Sequence, residues 1–142
     1  MPTKVLSRTK PRVRPTTAEL PYEPQSASAA RQLVRAALAG WGPDHLVDDA
    51  ELVVTELVSN ATKTGCLTVM RVGVTQVTGR TGQAVRISVR DGSRALPVLA
   101  DAAHDAESGR GLALVDRLAI VWGVELDPHG KTMWADIAVH RA

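Results

Sequence analysis

Apolar positions between Leu46 and Ala61 recur at helical spacing. Leu46, Val47, Ala50, Val53, Val54, Leu57, Val58 and Ala61 fall on one side of a helix read at about 100° per residue. Asp44 stands where an N-cap belongs and Gly65 where a helix must stop, so the pattern predicts a helix from Asp44 to about Thr64. The polar residues Asp49, Glu56, Asn60 and Lys63 gather along one edge of the apolar stripe, with Glu56 and Asn60 one turn apart. At such an edge a helix leaves the layer it packs on and begins to wall a cleft. Asn is a poor helix-interior residue, because its side chain competes for backbone hydrogen bonds, so Asn60 calls for a use. A carboxylate and an amide carbonyl facing one cleft would supply hard oxygen ligands and a base. The plain alternative is a solvated polar face, and these residues alone do not separate the two.

Upstream, Ala30, Leu33, Val34, Ala37 and Leu38 form a second stripe. It predicts a helix capped by Ser26 or Ser28 and ended by Gly40, after a short extended segment around Ala18-Glu19-Leu20. Downstream the period shortens to two. A first β run covers about Leu67 to Thr78, and its alternation shifts near Arg71, which predicts a bulge. After the turn Gly79-Arg80-Thr81-Gly82, Val85, Ile87 and Val89 alternate with Arg86, Ser88 and Arg90. Asp91 keeps the apolar parity, so a carboxylate at the strand's end points inward and needs a partner. Leu96 to Ser108 reads as loop. Glu107-Ser108-Gly109-Arg110-Gly111-Leu112 then opens a helix with Leu112, Val115, Leu118 and Ala119 on its inner side. Glycines at a helix start let backbone N–H groups approach an anion, although a Gly-Arg-Gly can equally be only a tight turn. Two last strands, about Ile120–Leu126 and Thr132–Val139, flank the hairpin turn Asp127-Pro128-His129-Gly130.

Composition narrows the class. At 142 residues and 44% hydrophobic content the chain is expected to be one globular domain. With no Phe, its core must be built from Val, Leu, Ile and Ala. A single cysteine, Cys66, excludes an internal disulfide and suits a reducing compartment; a buried inert thiol is the expected role. The chain has no run of membrane-spanning length and no apolar block at the N-terminus, so the expected location is the cytoplasm. Five of the 17 basic residues (Lys4, Arg8, Lys10, Arg12 and Arg14) precede the first acid, leaving 12 against 15 acids. The expected division is therefore a disordered basic tail over residues 1–16 and a folded domain over 17–142. Such a tail can touch nucleic acid or a protein partner. The body lacks a basic stripe with interleaved aromatics, which argues against nucleic acid.

Several stretches come in a set order: Glu56-Leu57-Val58-Ser59-Asn60-Ala61, Val89-Arg90-Asp91-Gly92-Ser93, Gly109-Arg110-Gly111-Leu112-Ala113-Leu114-Val115 and Gly130-Lys131-Thr132-Met133-Trp134-Ala135. As a set, spanning about Leu20 to Val139, they resemble the ATP-binding domain shared by DNA gyrase, the chaperone Hsp90, sensor histidine kinases and MutL. More narrowly, the phrasing is similar to that of the small bacterial anti-sigma-factor serine/threonine kinases and their ATP-binding relatives in actinobacteria. The resemblance implies an α/β (α+β) two-layer sandwich of the Bergerat type, with helices on one face of a mixed, mostly antiparallel sheet. It further implies ATP and Mg²⁺ as cofactors.

Residue by residue, Asn60 would ligate the Mg²⁺ and Glu56 would be the general base. Asp91 would accept from the adenine amino group. Gly109, Arg110, Gly111 and Leu112 would offer backbone N–H groups to the phosphates, and Thr132 would close the adenine pocket. Lys63 lies near where many relatives carry a His after the Asn, among the phosphate contacts. The corner Asp91-Gly92-Ser93-Arg94-Ala95 lacks the two later glycines common in the family, and the loop after it is short. The implied activity is phosphorylation of a small antagonist protein on serine, with a sigma factor as the other partner; relatives are often dimers, which leaves a homodimer open. The alternative from another class is a non-catalytic nucleotide-binding module that works by protein interaction. Glu56 favours the enzyme, and the glycine-poor lid favours the module.

Overall fold

A computed structural model of the chain describes residues 10–11, 15–64, 69–79, 82–93 and 106–140, with backbone alone at 10–11, 64, 79 and 106–110. In chain order the elements are β1 (Lys10–Pro11), β2 (Thr16–Leu20), α1 (Ser26–Leu38), α2 (Asp44–Thr64), β3 (Met70–Gly79), β4 (Gly82–Asp91), α3 (Ala106–Leu118), β5 (Val121–Asp127) and β6 (Gly130–Ala138). The sheet runs β1-β3-β4-β6-β5, with β2 also paired to β3, and every pairing among the described residues is antiparallel. Cys66 and residues 94–105, which include most of the expected loop, lie outside the described residues, as do residues 1–9 and 12–14 of the basic tail. No helix among the described residues is long and apolar enough to cross a membrane.

The helical stripe of the sequence is the core of the molecule. Leu46, Ala50, Val53, Val54, Leu57, Val58 and Ala61 of α2 are all buried, with Val47 packed at the margin. They meet Val72 and Val74 of β3, Val85, Ile87 and Val89 of β4, and Met133, Ala135 and Ile137 of β6. From α1, Ala30, Val34 and Leu38 close the same core. α1, α2 and α3 thus share one face of the sheet, as the α+β sandwich requires. Their alignment follows from sequence, since each strand places every second apolar side chain on that face.

Four details differ from the sequence expectation. Ser26 does not cap α1; it is the first residue of the helix, and its hydroxyl donates to the Pro21 carbonyl at 2.7 Å. There is no bulge at Arg71, because the register from Arg71↔Arg90 to Gly79↔Gly82 is unbroken. The shifted alternation has another cause: Val69 stands ahead of the strand, which begins at Met70, and is 41% exposed, so the inward parity of Met70, Val72 and Val74 starts only with the strand itself. Within the basic tail, Lys10 and Pro11 pair with Thr78 and Val77, so disorder does not extend over those two residues, and β2 already begins at Thr16. A proline fits there because β1 is an edge strand and needs no donor on its open side.

On the outer face, Arg86 grips Asp136 with two hydrogen bonds of 2.7 and 2.8 Å and lies 5.0 Å from the centre of the Trp134 ring. The two partners are only 18% and 7% exposed. Asp136→Ala leaves a largely desolvated guanidinium without its carboxylate, so a loss of about 3 kcal/mol is expected in denaturant melts. A loss below about 1 kcal/mol would mean that water replaces the partner.

Candidate functional site

Glu56, Ser59 and Lys63 stand at i, i+3 and i+7 of α2, so they share one face of the helix. Across from them α3 presents Gly111, Ala113, Leu114 and Arg117, and together these residues line an open cleft of about 750 Å³. That volume suits a nucleotide-sized ligand. The edge of the stripe therefore walls a cleft rather than facing open solvent. The cleft carries one carboxylate, Glu56, together with the ammonium of Lys63, the guanidinium of Arg117 and the hydroxyl of Ser59. Ser59 and Arg117 are members that sequence reasoning missed. Ser59 could have been found from its spacing to Glu56; Arg117 depends on how α3 crosses α2.

Gly111 is in contact with Glu56. A Cβ built on Gly111 would come within 2.5 Å of the Glu56 Oε2 atom and 3.3 Å of its Cδ atom. Only glycine at this place lets α3 lie against the carboxylate. Gly111→Ala is therefore expected to push Glu56 aside without breaking the helix, because the clashing atom ends a flexible side chain. Alanine also favours a helix interior by up to about 1 kcal/mol. Thermal stability should change little while any activity that needs Glu56 falls, which melts and turnover assays on one preparation would check.

α3 begins at Ala106, so Gly109, Arg110, Gly111 and Leu112 lie in its first two turns rather than ahead of it. An α-helix leaves only about its first four N–H groups without an internal partner. In this arrangement the N–H groups of Arg110, Gly111 and Leu112 fall beyond that set. Anion contacts from the backbone would come from the turn before them, or would need the helix start to unwind.

Asn60 is half-buried on the same edge of α2. Its Oδ1 atom is buried and accepts no hydrogen bond from the described residues, while the residue has other polar interactions. A neutral carbonyl oxygen of this kind fits Mg²⁺, which takes few protein ligands and completes its shell with water and phosphate oxygens. Among the described residues no group of three His, Cys, Asp or Glu side chains gathers to hold a metal on its own, so nucleotide oxygens would have to supply much of the coordination.

The second half of the site lies where β4 and β6 pair. Asp91 is 2% exposed and on the helix-facing side, as its parity predicted. Its cross-strand neighbour is Lys131. The ammonium of Lys131 donates to Asp91 Oδ1 at 3.1 Å, and the N–H of Ser93 donates to the same oxygen at 2.7 Å. Lys131 also reaches the Ser93 carbonyl at 3.4 Å. Gly130 fits beside them because a Cβ there would strike the Asp91 carbonyl oxygen.

The hairpin that delivers Lys131 is fixed by Asp127, which accepts from the His129 N–H at 2.8 Å and from Arg90 at 2.9 Å. The His129 N–H, followed by Arg90, holds the Asp127 carboxyl below its ordinary range. Its support is therefore full above the ordinary carboxylate range and fades as pH falls through the lowered folded value.

Thr132 does not join this corner. It pairs with Arg90 and belongs to the outer face, where it lines a groove with Trp134, Ser88 and Arg86. Successive residues of a strand point to opposite faces, so Lys131 and Thr132 cannot both face Asp91. The residue that closes the corner is Lys131. It keeps the parity of Met133, Ala135 and Ile137, a signal that was present in the sequence.

Comparison with known families agrees with this frame. The family model described as the histidine kinase-like ATPase domain matches residues 20–137, from the end of β2 into β6. No curated protein matches the chain.

Proposed function

Since the chain belongs to the histidine kinase-like ATPase domain family, we propose that it is an ATP- and Mg²⁺-binding regulator that acts as a serine/threonine protein kinase of the anti-sigma-factor type. The observation that carries the catalytic part of this reading is the Glu56 carboxylate, set in the α2–α3 cleft against a glycine that makes room for it. In this role Glu56 takes the proton of an incoming serine hydroxyl. Asn60 contributes its amide oxygen to Mg²⁺, which when bound neutralises phosphate charge. Lys63 and Arg117, which line the same cleft, would offer their positive charge to phosphate oxygens. Asp91 reads the exocyclic amino group of adenine. The substrate class is a small antagonist protein with an exposed serine, the other partner is a sigma factor, and the setting is the cytoplasm.

A carboxylate at Asp91 accepts from an amino group and repels the carbonyl oxygen that guanine presents. Loss of one charge-assisted hydrogen bond corresponds to about 1.5–3 kcal/mol, so Mg·ATP should raise the melting temperature well beyond what Mg·GTP does. Equal shifts with the two nucleotides would remove Asp91 from base reading. The non-catalytic alternative predicts the ATP shift with no phosphate transfer to any antagonist.

A further inference from the structure

The Asp91–Lys131 pair is closed. The two side chains are 1% and 0% exposed, and neither lines the α2–α3 cleft or the outer-face groove. A fully buried lysine is rare and is held by its counter-charge. Here that counter-charge is the carboxylate which, on the reading above, receives the amino group of the base. The ammonium donates to Asp91 Oδ1, as an amino group would.

We propose that Lys131 sets nucleotide affinity by standing in for the base: its ammonium satisfies Asp91 internally, and purine binding must compete with that ion pair. This rests on the assignment of Asp91 as the base-reading group. The pair is built into the fold by the β4–β6 register, the Gly130 close approach and the Asp127-fixed turn, so it forms whenever the hairpin forms. Two consequences follow. The wild-type protein binds Mg·ATP weakly, and shortening or neutralising residue 131 tightens binding while weakening the empty protein.

The test measures melting temperature and Mg·ATP affinity by calorimetry for the full chain and three variants. Lys131→Met keeps length and removes the donor; it should lower the nucleotide-free melting temperature by about 10 °C, through the unpaired carboxylate, and tighten Mg·ATP about 10-fold or more. Lys131→Gln keeps an uncharged donor, folds with less loss, and should tighten binding by a smaller factor; it decides the matter if the Met variant does not fold. Replacing both partners, Asp91→Leu with Lys131→Met, should restore the melting temperature and abolish ATP binding.

Wild-type and both Lys131 variants binding Mg·ATP alike would overturn the inference while leaving ATP binding intact, as would weaker binding in the variants. ATP binding by the double variant at wild-type strength would overturn it too, by showing that Asp91 does not read the base. If neither the wild type nor any variant binds Mg·ATP, the ATP reading itself fails and takes the inference with it.

Discussion

Glu56→Gln is expected to bind Mg·ATP with near wild-type affinity and to lose about 10²–10⁴-fold in turnover, the range spanned by a positioned general base. The amide matches the carboxylate in shape, so the packing of Gly111 against it is preserved. What it lacks is basicity. Asn60, one turn along, should behave in the opposite way: Asn60→Ala removes a neutral oxygen suited to Mg²⁺ and should weaken Mg·ATP binding itself. Measuring affinity and phosphate transfer to a cognate antagonist in both variants separates the roles. Full turnover in Glu56→Gln would reduce the residue to a polar wall of the cleft, and ATP binding without turnover in the wild type would favour the non-catalytic module. Gly111→Ala serves as an internal control, since it should reproduce the catalytic loss by moving the carboxylate rather than changing it.

The parts of this site readable in sequence were those governed by one element's own period. The α2 stripe fixed which residues meet the sheet, and Glu56 and Lys63 came out on the cleft because seven residues bring a helix back to nearly the same face. Asp91 was placed inward by counting in twos from Val85. The same count applied to Met133, Ala135 and Ile137 selects Lys131, whereas following the Gly-Lys-Thr phrase selected Thr132. Period was the better guide there because strand geometry leaves no freedom between adjacent residues.

Other features depend on more than one element. That Lys131 lies opposite Asp91 requires β4 and β6 to be neighbours in one particular register, which neither strand encodes alone. Val69 imitated a bulge because an exposed apolar residue just ahead of the strand breaks the alternation as a bulge does. α3 starts at Ala106, six residues ahead of Leu112, where the apolar stripe in the sequence begins, so that stripe alone does not mark the helix start.

The largest expected effect on stability belongs to Asp91→Ala. Asp91 does two structural tasks before any nucleotide arrives: it accepts the Ser93 N–H at 2.7 Å and balances the Lys131 ammonium at 3.1 Å. Removing it leaves a fully buried lysine near the Ser93 carbonyl, at 3.4 Å, without the carboxylate. Breaking a buried pair from one side costs about 3–5 kcal/mol, more than the 1.5–3 kcal/mol assigned to a hydrogen bond with a charged group. For a domain of this size that is a fall in melting temperature on the order of 10–20 °C. The structural loss exceeds the binding loss, so absent ATP binding in Asp91→Ala says nothing of adenine recognition unless the variant is folded at the temperature of the assay. Asp91→Asn is the cleaner probe of the base contact, because its amide oxygen can still accept from Ser93. A melting temperature for Asp91→Ala within a few degrees of wild type would show that the Lys131 ammonium finds solvent or another acceptor, and the closed corner would then be open.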